Sequence, residues 1–290
     1  MSDARERVLN GVDRIRNLPT MPENANRILM ALSDERSDSH KISELLKRDV
    51  AMSANVLRVA NSVYYSAAGR PIAGLELAVA RIGLMEVHNI VTAAGVIQAF
   101  SAFSSRTNPR EFWKHSVCVA LVTDVLRRHT NHPALLSAEA GEALYFGGLL
   151  HDVGLLLLGH VFPALFDKLV QISNEREVPL STVEQNVLMV DHGEIGARLC
   201  DKWRMPMEVC QAVRCHHFPD AAPLEARPFA ELVHLADYIC NHEQLGSVGV
   251  RDEAMFYERA WYDLGLQADD MDSIVQRVRI EAEKGLAIVA

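Results

Sequence analysis

Apolar residues recur along this chain at the three- and four-residue spacing of helix faces, and strand-like alternation is scarce. Residues 23–33 follow Pro22 and set Ala25, Ile28, Leu29 and Leu32 on one face. Proline suits a helix start, where its missing N–H costs little. Residues 40–48 carry Ile42, Leu45 and Leu46, and Asp49 stands where it can cap a helix running through Ala60. A fourth helix is predicted over 74–82, stopping at Gly83, and a fifth over 84–100 turns Val87, Ile90, Val91, Ala94 and Ile97 inward. The Ser-rich run 101–109 ends in Pro109 and reads as a connector between two lobes. Helical patterns resume over 110–129, 138–158, 162–176, 182–190, 192–203, 206–217, 228–242, 251–264 and 270–286. Ser181 and Glu184 have capping-box spacing at one of these starts. The predicted class is all-α, a multi-helix bundle in two packed lobes.

Composition narrows the setting. Of 290 residues, 49% are hydrophobic, enough apolar surface for one large core or two lobes. The formal charge of −9 repels phosphate backbones, so general nucleic-acid binding is not expected. Cys118, Cys200, Cys210, Cys215 and Cys240 form no C-x-x-C pair, and their odd number fits free thiols in a reducing compartment. The N-terminus is charged rather than signal-like, and no uninterrupted apolar run reaches membrane-span length. A cytoplasmic location and no membrane association are the expectations.

Several short stretches occur in a telling order. Leu18-Pro19-Thr20-Met21-Pro22 is followed by SANVLRVANSVYY over 53–65, Pro71-Ile72, and the run from Leu84 to Val91. Then come Phe112-Trp113-Lys114-His115-Ser116, the run Gly148 to Gly154 around His151-Asp152, Asp191 to Gly196, and His216-His217. This order resembles the HDOD (HD-related output domain) family of bacterial signalling proteins, over roughly residues 18–217. The resemblance implies an HD-like bundle with an N-terminal lobe over 1–105, a metal-bearing bundle over 106–245, and closing helices over 246–290. In the first lobe, Asn61 is expected to end or cap a turn, and Tyr64 and Tyr65 to pack between helices.

The resemblance extends to chemistry. The H…HD…D pattern of the HD superfamily falls on His115, His151, Asp152 and Asp237. Further histidines of the HD-GYP branch, which hydrolyses cyclic di-GMP, fall on His192, His216 and His217, and its glutamate on Glu111. Glu111 and His115 share a helix face at i and i+4, and facing helices of a bundle can project such ligands inward together. The implied cofactor is a divalent metal, one ion or two bridged by Asp152, with iron, manganese and zinc all compatible. His234, three residues before Asp237, is placed either to orient it or at the surface. His129, His132, His160 and His242 read as solvated or capping residues, and the cysteines as small buried hydrophobes.

Two departures bear on activity. Phosphohydrolases of the superfamily usually read HDxGK, and here Leu155 stands for the lysine. The paired histidines are followed by Phe218-Pro219-Asp220 rather than by the GYP signature. Both favour a non-catalytic signal-transduction module working through a signalling partner or a small-molecule or nucleotide ligand. The alternative is a metal-dependent phosphohydrolase acting on a nucleotide or cyclic dinucleotide by two-metal chemistry. A third reading is redox or oxygen-linked sensing at a di-iron site.

Overall fold

Capping chemistry sets many of the helix starts. In the computed structural model, residues 2–15, 19–34, 36–62, 65, 71–103, 106–252, 255–267 and 269–289 are described. Asp38, Asp49, Asn108, Ser137 and Asp191 each turn a side-chain oxygen onto a free N–H in a first turn. The helices are α1 (Ser2–Asp13), α2 (Glu23–Leu32), α3 (Ser39–Leu46), α4 (Val50–Ala60), α5 (Leu75–Ile82) and α6 (Leu84–Ala99). They continue as α7 (Pro109–Arg127), α8 (Ala138–Leu150), α9 (Val153–Val161), α10 (Pro163–Arg176) and α11 (Leu180–Leu188). The last are α12 (His192–Lys202), α13 (Met207–Cys215), α14 (Arg227–His242), α15 (Glu258–Asp263) and α16 (Asp270–Val289). No strand occurs among the described residues, so the chain is all-α.

The chain divides into two compact units, residues 17–102 with 282–290, and residues 1–16 with 103–281. This division differs from lobes drawn at 105/106 and 245/246. Val8, Leu9 and Val12 of α1 are buried, and α1 packs on α9, α11 and α12 of the larger unit. The first helix therefore goes with residues far along the chain.

In the smaller unit, Ile28, Ile42, Leu46, Met52, Val56 and Ile90 form a core closed to solvent. Asn61 ends α4, and its side-chain amide does more than cap. Its Nδ2 donates to the Ile72 carbonyl and its Oδ1 accepts from the Ile72 N–H, both at 2.7 Å. That paired bond ties residue 72 to the end of α4. Tyr64 lies outside the described residues, and Tyr65 is half-buried.

In the larger unit, α7 is buried over most of its length, with α8 and α14 beside it, and α13 packs on both of those. The α9 helix lies against α12. The pattern over 138–158 predicts one helix, but two are present, because Asp152 leaves helical geometry at φ −97°, ψ 4°. Gly154 explains the turn: a Cβ there would stand 1.9 Å from the His192 carbonyl oxygen. Only glycine lets the start of α9 approach the start of α12 so closely.

Two other expectations change. Pro179, not Ser181, caps α11, and Ser181 and Glu184 both turn inward, so they form no capping box. The pattern over 251–264 yields only the short α15, because Asp252 points into the interior and the Arg251 carbonyl accepts from Leu180 N at 2.7 Å. The stretch Ala138–Val161, α8 and α9 together, has by length and composition the apolarity to cross a membrane. Its apolar window is 83% buried inside the fold, as in a core helix of a globular unit. All five cysteines are free and buried.

Candidate metal centre

Helix ends in the larger unit converge on one interior point. His115 comes from α7, His151 ends α8, Asp152 precedes α9, His192 opens α12, His216 ends α13, and Asp237 projects from α14. All six are buried, with no more than 5% of any exposed. His217 follows and is largely buried. Ligand atoms of His115, His151 and Asp152 lie within 4.8 Å of one another, as do those of Asp152, His192, His216 and His217. Asp152 is common to both groups. Asp237 joins the first, with its Oδ1 at 2.9 Å from His115 Nε2 and 3.7 Å from His151 Nε2.

The protons on these imidazoles follow from their outer bonds. His151 Nδ1 donates to the Gly148 carbonyl at 2.7 Å, and His216 Nδ1 to the Val213 carbonyl at 2.8 Å. His192 Nδ1 donates to Glu184 Oε2 at 2.7 Å, and Glu184 also takes the His192 N–H at 2.8 Å. A ring held this way, when neutral, aims an Nε2 lone pair inward, the arrangement in which outer partners orient metal-ligating histidines. Asp152 oxygens meet those nitrogens at 3.0 Å from His151, 3.2 Å from His192 and 3.6 Å from His216. Two electron-rich atoms face each other at every contact, so a positive charge belongs between them. His151 Nε2 and His216 Nε2 are buried with no hydrogen-bond partner. Unanswered nitrogens beside buried carboxylates fit a divalent cation.

A proton can supply that charge as well as a cation, because the neighbouring acids raise His151 and His192 above the ordinary imidazole range. Burial works against the Asp237 charge, but the His115 hydrogen bond and the pull of the nearby His151 outweigh it and hold its carboxyl far below the usual range. Asp152 is likewise lowered against burial, chiefly by His151. His151 rises to about 10, because Asp152 and Asp237 overcome the burial that would lower it. Burial and the neighbouring imidazoles instead push His217 and His216 down, favouring neutral rings.

Glu111 is not brought in. Its side chain is 41% exposed and pairs with Lys114 at 3.8 Å, one turn along the outer face of α7. Sharing a face with His115 in register is not enough, because the first turn of α7 lies at the rim. His234 is buried rather than at the surface. Its nitrogens reach the carbonyls of His216 at 2.6 Å and Met255 at 2.9 Å, so it fastens backbone and does not orient Asp237. His132 does cap a short turn, and His242 is exposed beside Glu243.

Three contributors escape a reading of the sequence. Glu184, eight residues before His192, sits under that ring. Asn241 donates to Asp237 Oδ1 at 2.9 Å, one helical turn along α14. Asp252 Oδ2 lies 3.3 Å from His192 Nε2 and 3.4 Å from His217 Nε2. Burial, with Glu184 nearby, raises the Asp252 carboxyl to about 7 against the pull of His192. Only the i, i+4 spacing of Asn241 and Asp237 carried a usable signal. Asp252 lies near the start of the stretch 251–264, whose helical pattern gives no sign that it turns toward His192.

This arrangement can be set beside known proteins. The HDOD domain profile matches residues 18–219. The chain belongs to the HDOD family. An uncharacterised protein of Treponema pallidum is 27% identical over 225 residues, 78% of this chain. The match spans only 42% of that relative's length. Among solved structures, an HDOD domain protein of unknown function from Geobacter sulfurreducens superposes with TM-score 0.77. It is 23% identical, and the match covers 97% of this chain and 98% of that one. A Marinobacter aquaeolei VT8 protein, provisionally named a signal transduction protein, gives TM-score 0.74 at 23% identity over 99% of this chain and 66% of that one. A Shewanella amazonensis SB2B protein, provisionally named a metal-dependent phosphohydrolase, gives 0.61 at 20% identity, with 99% and 100% covered. At these identities the superpositions speak for the fold alone, and the His/Asp cluster able to hold metal is an observation on this chain itself.

Proposed function

We propose that this HDOD protein is a regulatory signal-transduction module whose larger unit carries a divalent metal centre and does not turn over substrate. The observation that carries the reading is the set of inward Nε2 atoms of His151, His192 and His216, all facing Asp152 with two of them unanswered. His115, His151 and Asp237 would hold one ion, His192, His216 and His217 a second, and Asp152 would bridge them. A bound cation would supply Lewis acidity and a fixed positive charge. The chain's own groups set the orientation: Gly148, Val213 and Glu184 fix the ring protons outward.

The argument against turnover is local. Leu155, where hydrolases of the superfamily carry lysine, is buried at 2% exposure. Among the described residues, Asp152, Asp237 and Asp252 pair with histidine and not with Lys or Arg. A cavity of about 340 Å³ opens beside His217 between Phe218, Phe256 and Tyr257, with no Lys or Arg in its wall. Such a wall suits an apolar or aromatic body better than a chain of phosphates. The input would be a small molecule or a signalling partner, in a reducing cytoplasm that suits five free buried thiols.

The alternative, a metal-dependent phosphohydrolase, is favoured by one feature, the carboxylate of Asp152 shared between two ligand groups. Elemental analysis of freshly purified protein, followed by a nucleotide and cyclic-dinucleotide hydrolysis panel on the metal-loaded form, separates the two. Stoichiometric metal without turnover supports the regulatory reading. Metal with turnover establishes the hydrolase, and protein that takes up none of the candidate metals removes both.

A further inference from the structure

The run from Gly246 to Asp252 is fastened to the larger unit at several points. Ser247 N donates to the Glu111 carbonyl at 3.2 Å, and the Arg251 carbonyl receives Leu180 N. Gly246 has φ +87°, and a Cβ there would stand 2.5 Å from His115 N, so the strap lies directly on the backbone of α7. At its end Asp252 turns inward and is buried. Its Oδ1 accepts from Ser181 N at 3.0 Å and from Ser181 Oγ at 2.7 Å. Its Oδ2 has no hydrogen-bond partner and faces two imidazole nitrogens, His192 Nε2 and His217 Nε2, which lie 2.7 Å from each other.

We propose that Asp252 is a further metal ligand, supplied by this strap to the His192–His217 half of the centre. The proposal rests on the metal reading above and extends it to a residue outside the family's ligand pattern. Ligand atoms about 2.1 Å from one ion, at angles between square and tetrahedral, stand roughly 3.0–3.4 Å apart. The separations of Asp252 Oδ2 from the two nitrogens, 3.3 and 3.4 Å, fall in that range. So does the 3.2 Å from His192 Nε2 to Asp152 Oδ1, whereas His192 Nε2 and His217 Nε2, 2.7 Å apart, would have to part by a few tenths of an ångström around an ion. A buried, unanswered oxygen costs about 1–3 kcal/mol, and unlike that of a merely buried acid this one faces two imidazole nitrogens. Ser181 answers one oxygen, and nothing among the described residues answers the other. A chain carboxylate in that position also takes up coordination that an incoming substrate oxygen would need.

The test is Co²⁺ titration of the full chain, read by calorimetry and by the visible absorption of the bound ion. Asp252→Asn keeps the shape and the acceptor for Ser181 but removes the anionic ligand. It is expected to weaken one Co²⁺ at least about tenfold and to change the absorption band that reports coordination. Asp252→Glu restores a carboxylate and is expected to recover part of both. Ser181→Ala leaves the carboxylate in place but frees its other oxygen, so a smaller loss in this variant supports the proposal even where Asp252→Asn folds poorly. Wild-type affinity with an unchanged spectrum in Asp252→Asn overturns it while leaving the metal centre intact. A wild-type chain that takes up no Co²⁺ overturns the centre itself, and the proposal with it.

Discussion

The two halves of the His/Asp cluster are built from the same side chains and held in different ways. On one side, Asp237 sits between His115 and His151, with Asn241 donating to it, and its carboxyl is held deep in the charged range. On the other side, Asp252 faces the paired rings of His192 and His217, with Glu184 close by, and its carboxyl rises to about 7. The first half comes entirely from helices α7, α8 and α14 and the break after α8. The second depends on a strap and on a buried glutamate beneath a histidine. A carboxylate among donors is stable by itself, whereas one crowded by another acid needs added positive charge. The second half is therefore the one whose state should follow metal loading most closely.

The largest effect is expected where the halves meet. Asp152→Asn removes the carboxylate shared by both ligand groups. Metal content after dialysis should fall by more than about 100-fold in affinity, above the 10–100-fold typical of outer partners. Full retention of two ions would break the idea of a shared bridge. Next comes Glu184→Gln, which keeps an acceptor for His192 Nδ1 but removes the charge behind it. About a tenfold weakening of the second half alone is expected, measured as the affinity of the weaker ion. Equal weakening of both ions would show the halves to be a single unit.

How much of this could be read from the sequence follows from the same contrast. The helical class, the cap at Asp49 and seven of the eight expected ligands rest on local periodicity and on an ordered set of motifs. Those seven meet because each sits at or beside a helix end, or faces the bundle interior. Glu111 obeys the same i, i+4 rule toward His115 and still points outward, since periodicity gives a face but not how deep along the helix the core reaches. Ser181 and Glu184 have the spacing of a cap and serve as buried partners of Asp252 and His192. Asp252 is out of reach of any spacing rule, because a strap places it. Likewise Asn61 reads as a helix-end residue, and only the fold reveals its paired bond to Ile72, eleven residues on.

A smaller effect distinguishes the cluster's acids from an acid that is merely buried. Glu231 of α14 is 2% exposed, one of its carboxyl oxygens lacks a partner, and no imidazole pairs with it among the described residues. Burial, with Asp263 adding to it and Arg227 and Arg259 opposing, raises its carboxyl to about 7. The folded chain then keeps a proton that the unfolded chain releases near 4.5. Between those values the native state binds more protons, so this residue's contribution to stability is full below about 4.5 and is lost as pH rises through about 7. Glu231→Gln should flatten that slope and raise the melting temperature at pH 8 by about 3 °C, the shift given by roughly 1 kcal/mol in a chain of this size. Metal affinity should not change. A stability gain equally large at pH 4 would assign the effect to packing rather than to charge.

The smallest effect is expected at Glu111, where the family resemblance and the structure part company. Its carboxylate is half-exposed, pairs with Lys114 at 3.8 Å and lies in the first turn of α7, where an acid is favoured by the helix dipole. Such a surface pair is worth about 0–1 kcal/mol. Glu111→Gln should therefore leave both ions bound with affinities within about twofold, and cost less than about 1 kcal/mol in denaturant unfolding. The Ser247 N–H bonds to the backbone carbonyl of Glu111, which the substitution leaves in place, so the strap and Asp252 should stay where they are. The variant thus isolates the side chain from the backbone it belongs to. If one ion were lost in Glu111→Gln, the side chain would have to swing inward on metal binding. The half of the cluster around Asp237 would then have a mobile ligand of its own, and the contrast with the strap-held half would vanish.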